Sequence, residues 1–135
     1  MAFLSGLKIV KLTEELCSVT VPYKSLNKNP FRSTYWAVLG MAAEMSSGAL
    51  ISMYTYKQKP SMATIIVSCK AEFVKKGTDV TTFVCSDGLK VKEAIIKAIE
   101  VNEPQVIECK SIGKNEADED VANFGFIWSV KVRSE

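Results

Sequence analysis

The chain of 135 residues contains no histidine. Ser-His-Asp and Cys-His nucleophile pairs are therefore excluded, because no imidazole is present to take the proton. Acid–base chemistry near neutral pH falls to a carboxylate, lysine, tyrosine or cysteine. The same absence removes the common zinc ligand sets and leaves only an all-thiolate site from Cys17, Cys69, Cys85 and Cys109, none of which has CxxC spacing. No metal and no cofactor is expected. Clustered positive charge is also scarce. The net charge is +2 and no basic run exceeds Lys75-Lys76, too little for the counterion release that drives nucleic-acid binding. The opening MAFLSGLKIVKL is interrupted by Lys8 and Lys11, so it does not read as a signal peptide. The thiols are read as free and mostly buried, in a reducing cytoplasm. Linkers, low-complexity stretches and internal repeats are missing, which suggests one domain over residues 1–135.

Apolar residues make up 47% of the chain, enough for one substantial core. Residues 3–12 suggest a short amphipathic helix. CSVTVPY at 17–23 alternates as a strand, with Pro22 marking an edge or an end. Residues 62–74 alternate as one long strand, with Ala63, Ile65, Val67, Cys69, Ala71 and Phe73 on one face. A turn at Lys75-Lys76-Gly77 leads to a strand at 79–86. Asp87-Gly88 then opens a surface helix at 89–101, with Leu89, Ile95, Ile96 and Ile99 inward. Strands at 105–112 and 121–132 flank the acidic loop GKNEADED. On the last strand Ala122, Phe124, Phe126, Trp128, Val130 and Val132 share one face.

The segment TYWAVLGMAAEMSSGALISM at 34–53 is apolar around its whole circumference. A helix of that kind is a membrane span or the centre of a core. Glu44, Ser46 and Ser47 in its middle favour the core, with Ser33 or Thr34 as N-cap. A flat sheet covers one side of such a helix, whereas a strongly curved sheet wraps it. The expected fold is therefore α+β: a curved antiparallel sheet of five to six strands around one long central helix, with a short N-terminal helix and a surface helix.

The block NKNPFRSTYWAVLGMAAEMSSG at 27–48 resembles the hotdog thioesterase superfamily. It looks closest to the domain-of-unknown-function 4442 group, which is related to the phenylacetate-type acyl-CoA thioesterases. LSGLK, the strand ending VPY, the helix carrying AAE and the turn AEFVKKG fall in the order the resemblance implies. In related thioesterases an asparagine before the helix stands 15 residues ahead of an acidic residue on it, and Asn29 and Glu44 have that spacing. The resemblance implies that Asn29 places the water or carbonyl and that Glu44 acts as base or nucleophile. The phenylacetate-type pattern has His-Gly before the helix, where Tyr35 and Trp36 stand here. The resemblance also implies a homodimer, or a tetramer of dimers, with the pocket between subunits.

Thioester hydrolysis needs a fixed electrophile, an activated water and a place for developing negative charge. Backbone N–H groups near Thr34, Tyr35 and Trp36, at the positive end of the long helix, suit the oxyanion. Ser47 is a candidate substrate contact, and Lys75 and Lys76 are candidate contacts for coenzyme A phosphates. Each residue also has a plainer reading. Glu44 also reads as an interface carboxylate with a hydrogen-bond partner, and Asn29 as an Asx turn ahead of Pro30. Tyr35 and Trp36 serve as pocket wall, and the lysines as a solvated turn. The expected function is an acyl-CoA or acyl-carrier thioesterase. The alternatives are a non-catalytic module that holds an acyl chain or other apolar ligand in the same cavity, and a homo-oligomer without a ligand.

Overall fold

The computed structural model describes residues 2–134, with side chains from residue 4 onward. One six-stranded antiparallel sheet runs in the order β1-β2-β4-β5-β6-β3. Its strands are β1 (Lys8–Leu12), β2 (Cys17–Val21), β3 (Met62–Phe73), β4 (Thr81–Cys85), β5 (Gln105–Lys114) and β6 (Asp120–Val132). Three helices accompany it: α1 (Ala2–Ser5), α2 (Trp36–Thr55) and α3 (Gly88–Val101).

The long helix α2 touches β1, β2, β4, β5 and β6. Five adjacent strands lying flat would span about 19 Å, against a helix diameter of about 10–12 Å. The sheet therefore curls around α2, as the all-apolar helix requires. The helix buries Val38, Leu39, Ala42, Ala43, Leu50 and Ile51 against the sheet. Phe83, Phe124, Phe126 and Trp128 supply the bulk of the facing layer.

Several local expectations are corrected. The helix read over residues 3–12 stops at Ser5, because Gly6 adopts φ +74° and ends the run. The β-branched pair Ile9-Val10 then joins the free edge of β2 as β1. On β3 the expected face is broken at Val67 by a register shift between Ile66 and Ser68. One extra residue reverses the side-chain phase. Met62, Thr64 and Ile66 share a face before the shift, and Cys69, Ala71 and Phe73 take that face after it. Phe73 consequently meets Phe124 edge-on at 5.8 Å. On α3 the buried residues are Gly88, Val91, Ile95 and Ala98, while Leu89 and Ile96 are exposed. The last strand follows its expectation, with Ala122, Phe124, Phe126, Trp128 and Val130 all buried.

Candidate functional site

The start of α2 is set by a loop that asparagines organise. Asn27 is fully buried and its Nδ2 donates to the carbonyls of Ser5 and Pro22, at 2.8 and 2.9 Å. Its own carbonyl accepts from Tyr35 N at 2.7 Å. Two residues on, Asn29 Oδ1 accepts from Phe31 N (2.9 Å), Ser33 N (3.2 Å) and Ser33 Oγ (3.2 Å). The Asx-turn reading of Asn29 is therefore realised, and its Nδ2 has no partner among the described residues.

The cap differs from the expectation. Tyr35 is the N-cap residue and makes no side-chain cap bond. Ser33 is engaged with Asn29, and Thr34 turns its N–H and hydroxyl to the Gly77 carbonyl at 2.8 and 3.1 Å. Of the three N–H groups considered for an oxyanion, those of Thr34 and Tyr35 are thus consumed internally. The N–H of Trp36 has no partner among the described residues. A depression of about 360 Å³ lies over this point, and Asn29, Thr34, Trp36, Lys75 and Lys76 all line it. Lys75 is paired with Glu119 at 2.8 Å, which holds the Glu119 carboxyl below its usual range. Lys76 Nζ donates to the Phe31 carbonyl at 3.3 Å. Tyr35 and Trp36 are both exposed, Trp36 at 63%.

Glu44 lies elsewhere. It is exposed on the wall of a larger open groove of about 860 Å³, beside Met41, Met45, Gly48, Thr64 and Trp128. Among the described residues no hydrogen bond or ion pair holds its carboxylate. Its charge, after desolvation, helps raise the pKa of Cys69 on β3. Ser47 is fully buried behind this wall. Its Oγ donates to the Glu44 carbonyl at 3.1 Å and accepts from Trp128 Nε1 at 3.0 Å. Ser46 bonds to Ser111 at 2.7 Å instead.

Trp36 and Glu44 are eight helix positions apart, about 12 Å along the axis. Asn29 and Trp36 therefore line one depression and Glu44 another. The sequence pattern did not identify two contributors to the groove, Ile9 and Leu12, because β1 was read as helix. It did contain a usable signal in Met41, Met45 and Ala49, which recur at helical spacing and all line the groove.

The curled sheet around a central helix, with a groove along the helix's uncovered side, defines the hotdog fold. Solved structures share it over nearly the whole chain. A Pseudomonas aeruginosa protein of unknown function, described as a probable thioesterase, is 20% identical with a TM-score of 0.84, covering 98% of this chain and 89% of that one. A Chlorobaculum tepidum protein of unknown function is 13% identical with a TM-score of 0.83, covering 98% and 86%. A Haemophilus influenzae thioesterase is 12% identical with a TM-score of 0.74, covering 99% and 84%. No family model matches the chain. No curated protein matches it either.

Proposed function

We propose that the chain is an acyl thioester hydrolase that acts as a homodimer on acyl-CoA or an acyl-carrier substrate. The observation that carries this reading is the groove. Ligand clefts commonly measure about 300–1,000 Å³, and this apolar groove of about 860 Å³ has one carboxylate, Glu44, in its wall. The acyl chain lies along the apolar floor, and Glu44 activates the attacking water. The Trp36 N–H receives the oxyanion, with Asn29 Nδ2 orienting the carbonyl. Lys75 and Lys76, beside the same depression, meet the carrier's phosphates.

Because Trp36 and Glu44 are about 12 Å apart in one chain, a working centre needs Asn29 and Trp36 from one protomer and Glu44 from the other. The edge strand β3 supports such pairing. Among the described residues it bonds only to β6, runs for twelve residues without proline, and exposes Ile65 and Val67 at 66% and 60%. A free edge of this kind is satisfied by a second copy. Likeness to the domain-of-unknown-function 4442 group belongs to the same proposal. So does placement in a reducing cytoplasm, which the four unpaired thiols favour. Two solved variants of a Staphylococcus aureus protein, described in one as a thioesterase enzyme, replace a glutamate and a glutamine fifteen positions earlier by alanine. That spacing equals the distance from Asn29 to Glu44.

The test is an acyl-CoA hydrolysis panel on the purified protein and its variants. Glu44→Ala is expected to lower turnover at least about 100-fold, the scale of a lost general base, with the far-ultraviolet spectrum unchanged. Neither Glu44→Ala nor Asn29→Ala is expected to work alone. Mixed and refolded together they recover about a quarter of wild-type activity, since half the dimers are mixed and each holds one intact centre. Absence of recovery refutes the shared centre, and absence of wild-type turnover across the panel refutes the hydrolase. The second reading, a non-catalytic carrier of an acyl chain, is favoured by Tyr35 and Trp36 at the helix start. It predicts an apolar ligand retained in native mass spectrometry with no hydrolysis.

A further inference from the structure

At the end of β4 two sulfurs and a carboxylate converge. Cys17, Cys85 and Cys109 are each fully buried on the neighbouring strands β2, β4 and β5. Cys17 stands directly opposite Cys85. Asp87, at the start of α3, is an N-cap residue that does not cap. Its carboxylate is turned toward the sulfurs instead, with Oδ2 3.8 Å from Cys85 Sγ. The ligand atoms of Cys85, Asp87 and Cys109 all lie within 4.8 Å of one another.

We propose that Cys85, Cys109 and Asp87 bind one thiophilic d10 metal ion, zinc or its surrogate cadmium. A tetrahedral zinc with bonds of about 2.3 Å to sulfur and about 2.1 Å to oxygen places its sulfurs about 3.8 Å apart and sulfur about 3.6 Å from oxygen. The Cys85–Asp87 separation of 3.8 Å is close to the second value, and with all three ligand atoms within 4.8 Å of one another side-chain rotation supplies the contraction needed. The outer shell is also built. Lys110 N donates to Asp87 Oδ2 at 2.8 Å, which fixes the carboxylate as second-sphere donors do in metal sites. Lys90 Nζ stands 3.9 Å from Oδ1 and offsets the excess negative charge of two thiolates and a carboxylate around a divalent ion. Entry is from the Asp87 side, since that side chain retains 22% exposure while the sulfurs have none. The absence of histidine led to an all-thiolate set as the one zinc option. A carboxylate in place of the missing imidazole provides another. The ion would pin β4, β5 and the start of α3, so the proposal does not depend on hydrolase activity.

The experiment is titration of reduced, chelator-stripped full-length protein with cadmium, followed by the ultraviolet thiolate-to-metal charge-transfer band. Metal content after gel filtration and the melting temperature with zinc are read alongside. One equivalent per chain and a raised melting temperature are expected. The signal persists in Cys69→Ser, disappears in the Cys85→Ser/Cys109→Ser double variant, and needs at least about tenfold more metal in Asp87→Asn, the scale on which metal-site substitutions act. If the double variant does not fold, cadmium-113 resonance on the wild-type chain decides instead, by a shift in the range of two thiolate ligands. No charge-transfer band, a band that follows Cys69, or a resonance from oxygen ligands alone overturns the proposal.

Discussion

Ser47 shows how much one hydroxyl can carry. It closes a part-buried bond to its own helix and, inside the core, receives the indole N–H of Trp128. Ser47→Ala leaves that N–H buried without a partner. It is expected to cost about 1–3 kcal/mol, read as a lower urea midpoint with an unchanged slope. Cys17 gives a pH dependence. Burial first, and Cys85 second, push its thiol up to about 11 from the usual 9.0. Below pH 9.0 both the folded and the unfolded chain keep the proton, so stability is whole. Between 9.0 and 11 the unfolded chain releases it and the native state does not. Stability is therefore lost as pH rises through that window, by roughly 2–3 kcal/mol at full extent. Urea melts at pH 8 and pH 10.5 are expected to separate far more for the wild type than for Cys17→Ala. Equal separations would remove Cys17 as the cause.

At the scale of elements, the close approach of the sheet to its own core is set by backbone positions without a side chain. A Cβ on Gly113 of β5 would come within 2.5 Å of the ring of Phe83, itself fully buried. Gly113→Ala is expected to destabilise by about 1–3 kcal/mol through overpacking. Gly125→Ala on the neighbouring β6, where nothing lies within 4 Å of the added Cβ, is expected to be tolerated. Calorimetric melting of the pair checks both. The elements themselves were mostly legible. The long apolar run gave α2, and strict alternation gave β6. The phase of β3 was not, because the extra residue at Val67 has no side-chain signature and is defined only by its pairing with β6. Nor was β1, whose Lys-Ile-Val-Lys-Leu pattern fits a helix end as well as a strand until β2 offers a free edge.

Across the whole molecule, α2 is apolar all round, and the curled sheet still leaves part of it uncovered. The uncovered side carries Met41, Met45 and Ala49 into the groove, and the exposed edge of β3 runs with Ile65 and Val67 bare. The proposed pairing of two copies through β3 would account for both surfaces together. The double variant Ile65→Lys/Val67→Lys places like charges across a two-fold edge. It is expected to convert a dimer to a monomer in light scattering, with secondary structure kept. Hydrolysis is expected to fall as far as in Glu44→Ala, because under the proposed shared centre a monomer would hold only half of it. A charged-edge variant that stays dimeric would place the contact elsewhere.

Periodicity and composition determined that this chain builds one long core helix with strands around it, and the absent histidine determined which chemistries it cannot perform. These are properties of single residues and of local repeats, which a linear pattern carries. Tertiary structure alone decided that Asn29 and Glu44, fifteen residues apart, face different cavities, and that Asp87 turns from its helix toward two buried sulfurs. Both outcomes depend on how strands from distant parts of the chain pair and curl, and no local pattern encodes that distance.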